Sequence, residues 1–180
     1  MKNLLIFWLM LGMAYQTLQA QQFAGQGTME INFLEGSHVV HSLRTDQLVV
    51  QYDADQQVLR FMVKPGAFAV GASPFDQSVV EDVLQSPANR LMMIQAMGLA
   101  LPTTGTDPQS LSSSFRVGYQ SRNLELPGVL ALTPASDGFH LKAELVTSLD
   151  ALGLYLPAAF QDELSTDLQL NLTGLNLTER

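Results

Sequence analysis

The residue types that could carry out chemistry are sparse in this sequence, and their spacing does not bring them together. His38 and His41 stand three residues apart, and on a β-strand an odd spacing sends two side chains to opposite faces. No suitable third ligand lies nearby, and there is no cysteine to act as a nucleophile or zinc ligand. The segment from Gly66 to Gly71 lacks the Lys-Ser/Thr pair of a phosphate-binding loop. We therefore expect neither a metal site nor a cofactor.

Serines and carboxylates are more frequent, but their arrangement does not favour catalysis. Ser112–Ser114 ends a polar stretch before a strand and has no Gly-x-Ser-x-Gly elbow. The neighbouring acids Glu81-Asp82 and Asp162-Glu163 point in different directions in a helical turn, whereas the two carboxyl groups of a glycosidase converge across a cleft. A triad assembled from distant positions is the remaining alternative, and nothing in the sequence supports it. The sequence predicts that the protein is not an enzyme.

The N-terminus has the pattern of a secretory signal peptide. A short basic start, Met1–Asn3, precedes the apolar run Leu4–Leu11, which is well short of the ~20 residues that a membrane-spanning helix needs. Residues 1–20 are predicted to be the signal, with cleavage after Ala20, and an uncleaved anchor is the alternative. Residues 21–180 then form a single domain without an integral membrane span, long enough to bury a sizeable core.

Charge and cysteine content restrict the partners and the compartment. The formal net charge is −8, and it becomes −9 when Lys2 leaves with the signal. Without a basic cluster, neither nucleic acid nor an anionic membrane surface is an expected partner. An exported chain with no cysteine cannot depend on disulfides, which fits a bacterial periplasmic or secreted protein best.

Alternation of apolar and polar residues predicts several β-strands. Thr28–Phe33 places three apolar side chains on one face, and Val49–Lys64 contains two such runs around the turn-forming segment Asp53–Gln57. The pattern returns later with Phe115, Val117 and Tyr119, with Phe139, Leu141, Ala143 and Leu145 beside the outward His140, and with Leu168, Leu170 and Leu172. Such one-sided faces are typical of antiparallel sheets with one wet surface.

Other segments are less regular. Leu124–Leu132 is predicted to be a strand in which Pro127-Gly128 marks an edge position or a bulge. Asn89–Leu101 is apolar on both faces and could be helical, but we favour a strand. Pro102–Ser110 has the composition of a loop.

Helical signals are brief. Ser73 is a candidate N-cap for an amphipathic helix over Pro74–Gln85, with Asp76 placed to close a capping box and Phe75, Val79, Val80, Val83 and Leu84 on one face. This helix is either a lid or a plug for one end of a sheet. Pro157–Leu164 is predicted to contain a short helical turn.

Many short alternating strands with brief helices indicate an antiparallel barrel or a sandwich. The interior of an eight-stranded barrel is either filled by side chains or holds one small ligand. A filled core is the commoner result. Convergence of Tyr52, Phe61, Phe115, Tyr119 and Phe139 into a filled centre would argue against a ligand.

The order of these features resembles the YceI-like domains of bacterial exported proteins. The similar segments are GTMEINF, VVQYDADQQVLRFMV with the following Phe68, SVVEDVLQSP, LELPGVLALTP and GFHLKAELVTSLDALGLYLP, and together they cover most of residues 26–177. The aspartate and His-Ser pair at the start of that family have no clean counterpart, since His41-Ser42 lies in a different setting. The resemblance implies an all-β, antiparallel lipocalin-like barrel of about eight strands with one or two short helices.

The resemblance also implies a non-catalytic role in binding, transport or storage of a hydrophobic small molecule, such as a polyisoprenoid or a fatty-acid-like lipid, in the bacterial envelope. The alternative is a ligand-free β-domain that acts as a structural or protein-interaction module. The inward faces of the predicted strands supply the expected pocket lining: Val50, Tyr52, Phe61, Val63, Phe115, Val117, Tyr119, Phe139, Leu141 and Leu145. Ligand identity and oligomeric state stay open.

Overall fold

Antiparallel pairing joins each strand to the next along the chain, and the first strand also pairs with the last, which closes the sheet into an eight-stranded barrel. The computed structural model describes residues 22–69, 73–80, 91–101, 107–119, 122–152, 154–156 and 167–179. Its strands are β1 (Gln22–Glu35), β2 (His38–Asp53), β3 (Val58–Val63), β4 (Met92–Met97), β5 (Gln109–Tyr119), β6 (Arg122–Ala135), β7 (Gly138–Ser148) and β8 (Asp167–Glu179). This architecture confirms the predicted all-β antiparallel barrel.

Alternation along each strand determines what faces the interior, because successive side chains point to opposite sides of a sheet. In β1 the apolar residues Met29, Ile31 and Phe33 are almost fully buried inside the barrel. Both arms of the β2–β3 hairpin and the predicted faces of β5, β7 and β8 are likewise buried, in one continuous apolar cluster. The faces predicted from the period of two are therefore confirmed.

Irregular pairing where β1 meets β2 and β8 helps the sheet to close. The β1–β2 register shifts between Gly27 and Met29, and the β1–β8 register shifts between Ala24 and Thr28. A Cβ atom at Gly27 would lie only 2.6 Å from the carbonyl oxygen of Thr173. Glycine at this position thus allows the backbones of β1 and β8 to approach each other closely.

The strand at Leu124–Leu132 is longer than predicted. β6 pairs with β5 through Pro127-Gly128 without a register shift, so the predicted bulge is wrong. The predicted edge position holds locally, because β6 up to Pro127 pairs only with β5 although the strand as a whole lies inside the closed sheet. Its pairing with β7 begins at Gly128, one residue after Pro127. The missing amide hydrogen of Pro127 therefore interrupts no hydrogen bond to β7.

The ambiguous segment Asn89–Leu101 contains β4, so the favoured strand prediction is confirmed over Met92–Met97. The apolar pattern of this segment fits either a helix or a strand. Its backbone pairing with β3 and β5 fixes the extended conformation. Residues 102–106 of the loop predicted over Pro102–Ser110 fall outside the described residues. Gln109 and Ser110, which the prediction assigned to this loop, belong to β5.

Two short helices lie at one end of the barrel: α1 (Pro74–Ser78) in the β3–β4 connection and α2 (Leu149–Leu152) in the β7–β8 connection. The hydroxyl of Ser73 accepts a hydrogen bond from the amide of Asp76, which confirms the predicted N-cap. Residues 81–85 of the predicted helix, and the turn predicted over Pro157–Leu164, fall outside the described residues. No helix in the described ranges has the length and apolar character needed to cross a membrane.

Candidate ligand-binding site

The ten residues predicted to line a pocket all belong to the inward faces of β2, β3, β5 and β7. Nine of them are buried, with at most 4 % of each residue exposed, and belong to the same apolar cluster. Phe139 differs, since it is only half-buried and packs against the edge of that cluster. The structure thus brings the predicted set together around one interior, with Phe139 at its rim.

The predicted pocket lining left out more than half of the inner wall. Most of the additional inward residues lie on the other strands: Met29, Ile31 and Phe33 on β1, Met92, Ile94 and Ala96 on β4, Leu126, Leu130 and Leu132 on β6, and Leu168, Leu170, Leu172, Leu175 and Leu177 on β8. Four more lie on strands that the prediction already used: Leu43 and Leu48 on β2, Leu59 on β3 and Ala143 on β7. The same alternation signals most of these positions. The inward positions of β4 could not be identified from the sequence, because apolar and polar residues do not alternate in that segment.

One end of the barrel, called here the turn end, lies beside the β2–β3 and β6–β7 turns. The hydroxyl of Tyr52 donates a buried hydrogen bond of 2.8 Å to the carbonyl oxygen of Leu99. The ring of Phe23 contacts those of Tyr52 and Phe139, with centroids 6.1 and 6.0 Å apart. Leu99 itself is held by a 3.0 Å bond from its amide to the carbonyl oxygen of Gln57. Aromatic packing and two hydrogen bonds therefore close this end.

The opposite end, called here the helix end, is covered by α1. The ring of Phe75 packs edge-on against Phe33 at 5.0 Å, and the ring of His41 lies 4.0 Å from it at a shallow angle. Val79 and Val80, which follow α1, are almost fully buried. The predicted amphipathic segment thus presents its apolar face to the interior and acts as a plug in this structure.

Polar side chains inside the described part of the barrel are few, and those of Asp76, Thr147 and Tyr119 lie at the helix end. Oδ1 of Asp76 is buried without a hydrogen-bond partner among the described residues and lies 3.8 Å from Nδ1 of His41, which is too long for a hydrogen bond. The hydroxyl of Thr147, an inward residue of β7, is likewise buried and unpartnered within the described ranges. Thr45 is also buried, but its hydroxyl accepts a 3.2 Å bond from the amide of Gln47.

The five aromatic residues whose convergence would argue against a ligand are distributed along the barrel. Tyr52 and Phe139 lie towards the turn end, Tyr119 is the last residue of β5 at the helix end, and Phe61 and Phe115 lie within their strands. All except Phe139 are nevertheless covered by neighbouring atoms. An apolar chain entering this interior must therefore displace side chains that now pack against one another.

A group of charged side chains lies on the outer face of β1 and β2. The guanidinium group of Arg44 binds the carboxylates of Asp46 and Glu30, at 3.1 and 3.3 Å. A hydrogen bond from Thr28 is the main cause of a pKa for Asp46 below its ordinary value of 3.8, and Arg44 lowers it further. These three charged side chains therefore interact with one another on the outside of the sheet.

The three histidines lie in different surroundings. His41 packs on Phe75, His38 is exposed in the β1–β2 hairpin, and His140 is exposed on β7 beside Asn176. Among the described residues, no three His, Cys, Asp or Glu side chains are close enough together to hold a metal ion.

Solved structures with the same fold include a polyisoprenoid binding domain from Saccharophagus degradans implicated in plant cell wall breakdown, with a TM-score of 0.63 and 11 % identity over 90 % of this chain and 97 % of that one. BcnA from Burkholderia cenocepacia has a TM-score of 0.60 and 7 % identity over 83 % and 93 % of the two chains. No family model and no curated protein sequence matches the chain. At these identities the likeness concerns the fold, and it confirms the predicted lipocalin-like, YceI-like barrel.

Proposed function

We propose that this protein binds a long apolar chain, such as a polyisoprenoid or a fatty-acid-like lipid, inside its barrel and carries or stores it unchanged in a bacterial envelope. The observation that carries the proposal is the continuous apolar wall contributed by all eight strands. A barrel of the same fold is described as a polyisoprenoid binding domain, which supports this class of ligand. The pattern of the first 20 residues supports export.

A non-catalytic role follows from the chemistry of the wall. The ten predicted lining residues include no carboxylate, histidine, lysine or arginine, and their only ionisable groups are the phenols of Tyr52 and Tyr119. None of them could act as a general base on a bound chain. Affinity must come from apolar burial, at about 0.8 kcal/mol for each buried methylene before the cost of ordering the chain.

The ligand-free β-domain is the second candidate, and the tight cover of the wall favours it. Residues such as Val50, Phe115 and Leu145 have no exposed surface, as in an ordinary filled core. The two candidates differ in what the interior does when a long chain is offered. A carrier exchanges its own side-chain contacts for contacts with the ligand, whereas a structural module does not.

A series of prenyl and fatty alcohols of increasing length, measured by displacement of a fluorescent probe, separates the two candidates. For a carrier, affinity should rise with each methylene by at most about fourfold. Affinity that stays flat with length, or no displacement at all, would reject the pocket. Turnover of an ester or amide that survives purification and is lost on mutating one polar residue would reject the non-enzymatic role.

A matched pair of variants locates the binding. Ala143 of β7 is fully buried on the inner wall, whereas Ala131 of β6 lies on the outer face opposite Lys142. Ala143→Leu adds three carbons inside the barrel and should weaken binding of the longer alcohols. Ala131→Leu adds the same group outside and should leave their affinity unchanged.

Export is tested on the secreted protein itself. N-terminal sequencing should find a chain that begins at Gln21, directly after the predicted cleavage site. A mature chain that starts anywhere within residues 1–15 would contradict the signal-peptide prediction.

A further inference from the structure

At one junction of the barrel, two neighbouring strands continue past the end of their pairing. β6 and β7 are paired from the turn that joins them as far as Gly128 and Leu145. Beyond these residues Arg122–Pro127 of β6 pair only with β5, and Val146–Ser148 of β7 pair only with β8. At each of the other seven junctions, pairing runs at both ends to within one residue of the end of one of the two strands. The two unpaired stretches are called here the β6–β7 seam.

A proline marks the point where the pairing stops. Pro127 is the first β6 residue beyond the paired part, and a proline has no amide hydrogen to donate to a neighbouring strand. Behind the seam, the hydroxyl of Thr147 is buried without a hydrogen-bond partner among the described residues. The missing ladder bonds and the unpartnered hydroxyl both make this part of the wall less stable than the paired parts.

A short helix and its apolar side chains cover the seam. α2 follows β7 directly and contacts β6, and all three elements belong to the uninterrupted described range 122–152. Leu149 and Leu152 of α2 are buried in the same apolar cluster as Leu126 of β6. At the surface, Nη1 of Arg122 donates a hydrogen bond of 3.0 Å to the carbonyl oxygen of Asp150. α2 is therefore held over the seam by apolar packing and by an exposed hydrogen bond to β6.

A groove on the outer surface lies where the seam begins. Its volume is about 520 Å³, and its lining includes Pro127, Gly128, Val129 and Val146. Val129 is 45 % exposed and Val146 is 51 % exposed. The two valines give the outside of the seam an apolar surface, which suits contact with an apolar chain.

We infer that the β6–β7 seam is the lateral entrance through which an apolar chain reaches the interior, with α2 as its lid and the outer groove as the surface that the chain first contacts. The ends of the barrel are covered by aromatic packing and by α1, so a chain enters where the wall itself opens. Opening the seam displaces α2 and breaks the bond between Arg122 and Asp150, whereas opening another junction breaks paired backbone. This inference rests on the proposed binding of an apolar chain and specifies the route by which the chain enters.

A reversible crosslink between the lid and β6 tests the route. The chain has no cysteine, so the two introduced thiols of Arg122→Cys/Asp150→Cys are the only ones present. A short bis-methanethiosulfonate reagent joins them, and stopped-flow fluorescence follows uptake of parinaryl alcohol, a linear fluorescent fatty alcohol, by the full mature chain. The crosslinked protein should take up and release the alcohol at least about tenfold more slowly than the same protein after reduction, because the link hinders opening. Its affinity should stay the same, since the bound state is unchanged.

A crosslink at a paired junction is the control. Gln51 and Arg60 lie opposite each other on the outer face of β2 and β3. Gln51→Cys/Arg60→Cys, treated with the same reagent, joins two strands that are already paired. This link should leave the rates of uptake and release unchanged.

Single substitutions test the outer groove. Val146→Ser removes apolar surface at the entrance and should slow uptake by about threefold without changing affinity. Val39→Ser makes the same change in the β1–β2 hairpin, at a position that is 52 % exposed, and should leave the uptake rate unchanged.

The outcomes distinguish this inference from the proposed function. Equal uptake rates in the crosslinked and reduced forms, or an equal slowing by the control crosslink, would overturn the inference while the apolar site stands. No fluorescence gain with any of the proteins would overturn both. If Arg122→Cys/Asp150→Cys does not fold, Val146→Ser provides the test, and an uptake rate equal to that of Val39→Ser would contradict the inference.

Discussion

Replacing Gly128 with alanine is expected to destabilise the barrel, because this inward-facing glycine of β6 leaves room for the ring of Phe115. A Cβ atom at position 128 would lie 2.7 Å from the carbonyl oxygen of Glu144 and 2.8 Å from Cε2 of Phe115. Phe115 is fully buried and Glu144 belongs to the paired strand β7, so neither can move away easily. Overpacking of this kind costs about 1–3 kcal/mol, and clashes with both backbone and ring place the cost in the upper half of that range.

A smaller effect acts in the opposite direction. Alanine has fewer backbone conformations than glycine, which lowers the conformational entropy of the unfolded chain and stabilises the folded protein by about 0.4–1 kcal/mol. The net loss should therefore be about 2 kcal/mol in the free energy of unfolding, measured in urea. Gly118→Ala is the control, because a Cβ atom there would lie 3.4 Å from Oδ1 of Asn123 and 3.8 Å from the carbonyl oxygen of Met93, both ordinary contact distances. That variant should be as stable as the wild type or slightly more stable.

The double variant Gly128→Ala/Phe115→Leu tests the cause of the loss. Removing the ring relieves its part of the clash, so the two substitutions should be less damaging together than the sum of their separate effects. Equal stability of the Gly128→Ala and Gly118→Ala variants would refute the packing argument. Strictly additive effects in the double variant would show that Phe115 is not the residue that Gly128 accommodates.

Two further outcomes concern single polar contacts. Tyr52→Phe should lower the free energy of unfolding by about 1–2 kcal/mol, because it leaves the buried carbonyl oxygen of Leu99 unpartnered, whereas Tyr155→Phe, at a position 69 % exposed, should change nothing measurable. The pKa of Asp46 in the folded protein should lie below 3.8, so its ionised form contributes stability above that pH and the contribution is lost as the pH falls through the folded pKa. An NMR titration should show this pKa rising in Thr28→Val, and a pKa unaffected by that substitution would contradict the assigned hydrogen bond.

The comparison of sequence with structure is clearest for the strands. The inward faces of β1, β2, β3, β5, β7 and β8 were predictable because the alternation of apolar and polar residues lies within each strand. The apolar face of such a strand is buried whichever element packs against it. The N-cap at Ser73 was predictable for a similar reason, since its hydrogen bond spans only three residues. β4 was harder, because a segment that is apolar on both faces has no period to detect.

The wall of the candidate site was predictable in part. Ten of its residues follow from alternation, and the residues of β1 and β8 could have been added by the same reasoning. The role of Gly128 could not be foreseen, because it depends on a ring contributed by another strand. The polar pair formed by Asp76 and His41 could not be foreseen either, since those residues belong to different elements and meet only when α1 covers the barrel.

The sequence by itself determined the type of structure: antiparallel strands with one wet face, brief helices and no cysteine. Only the tertiary structure decided that the sheet closes, because closure depends on pairing between β1 and β8, whose partners such as Phe33 and Leu168 are far apart in the chain. It also decided that β6 is internal and that α1 covers one end of the interior. These features depend on which distant backbones and side chains come into contact, and a local pattern of polarity carries no information about that.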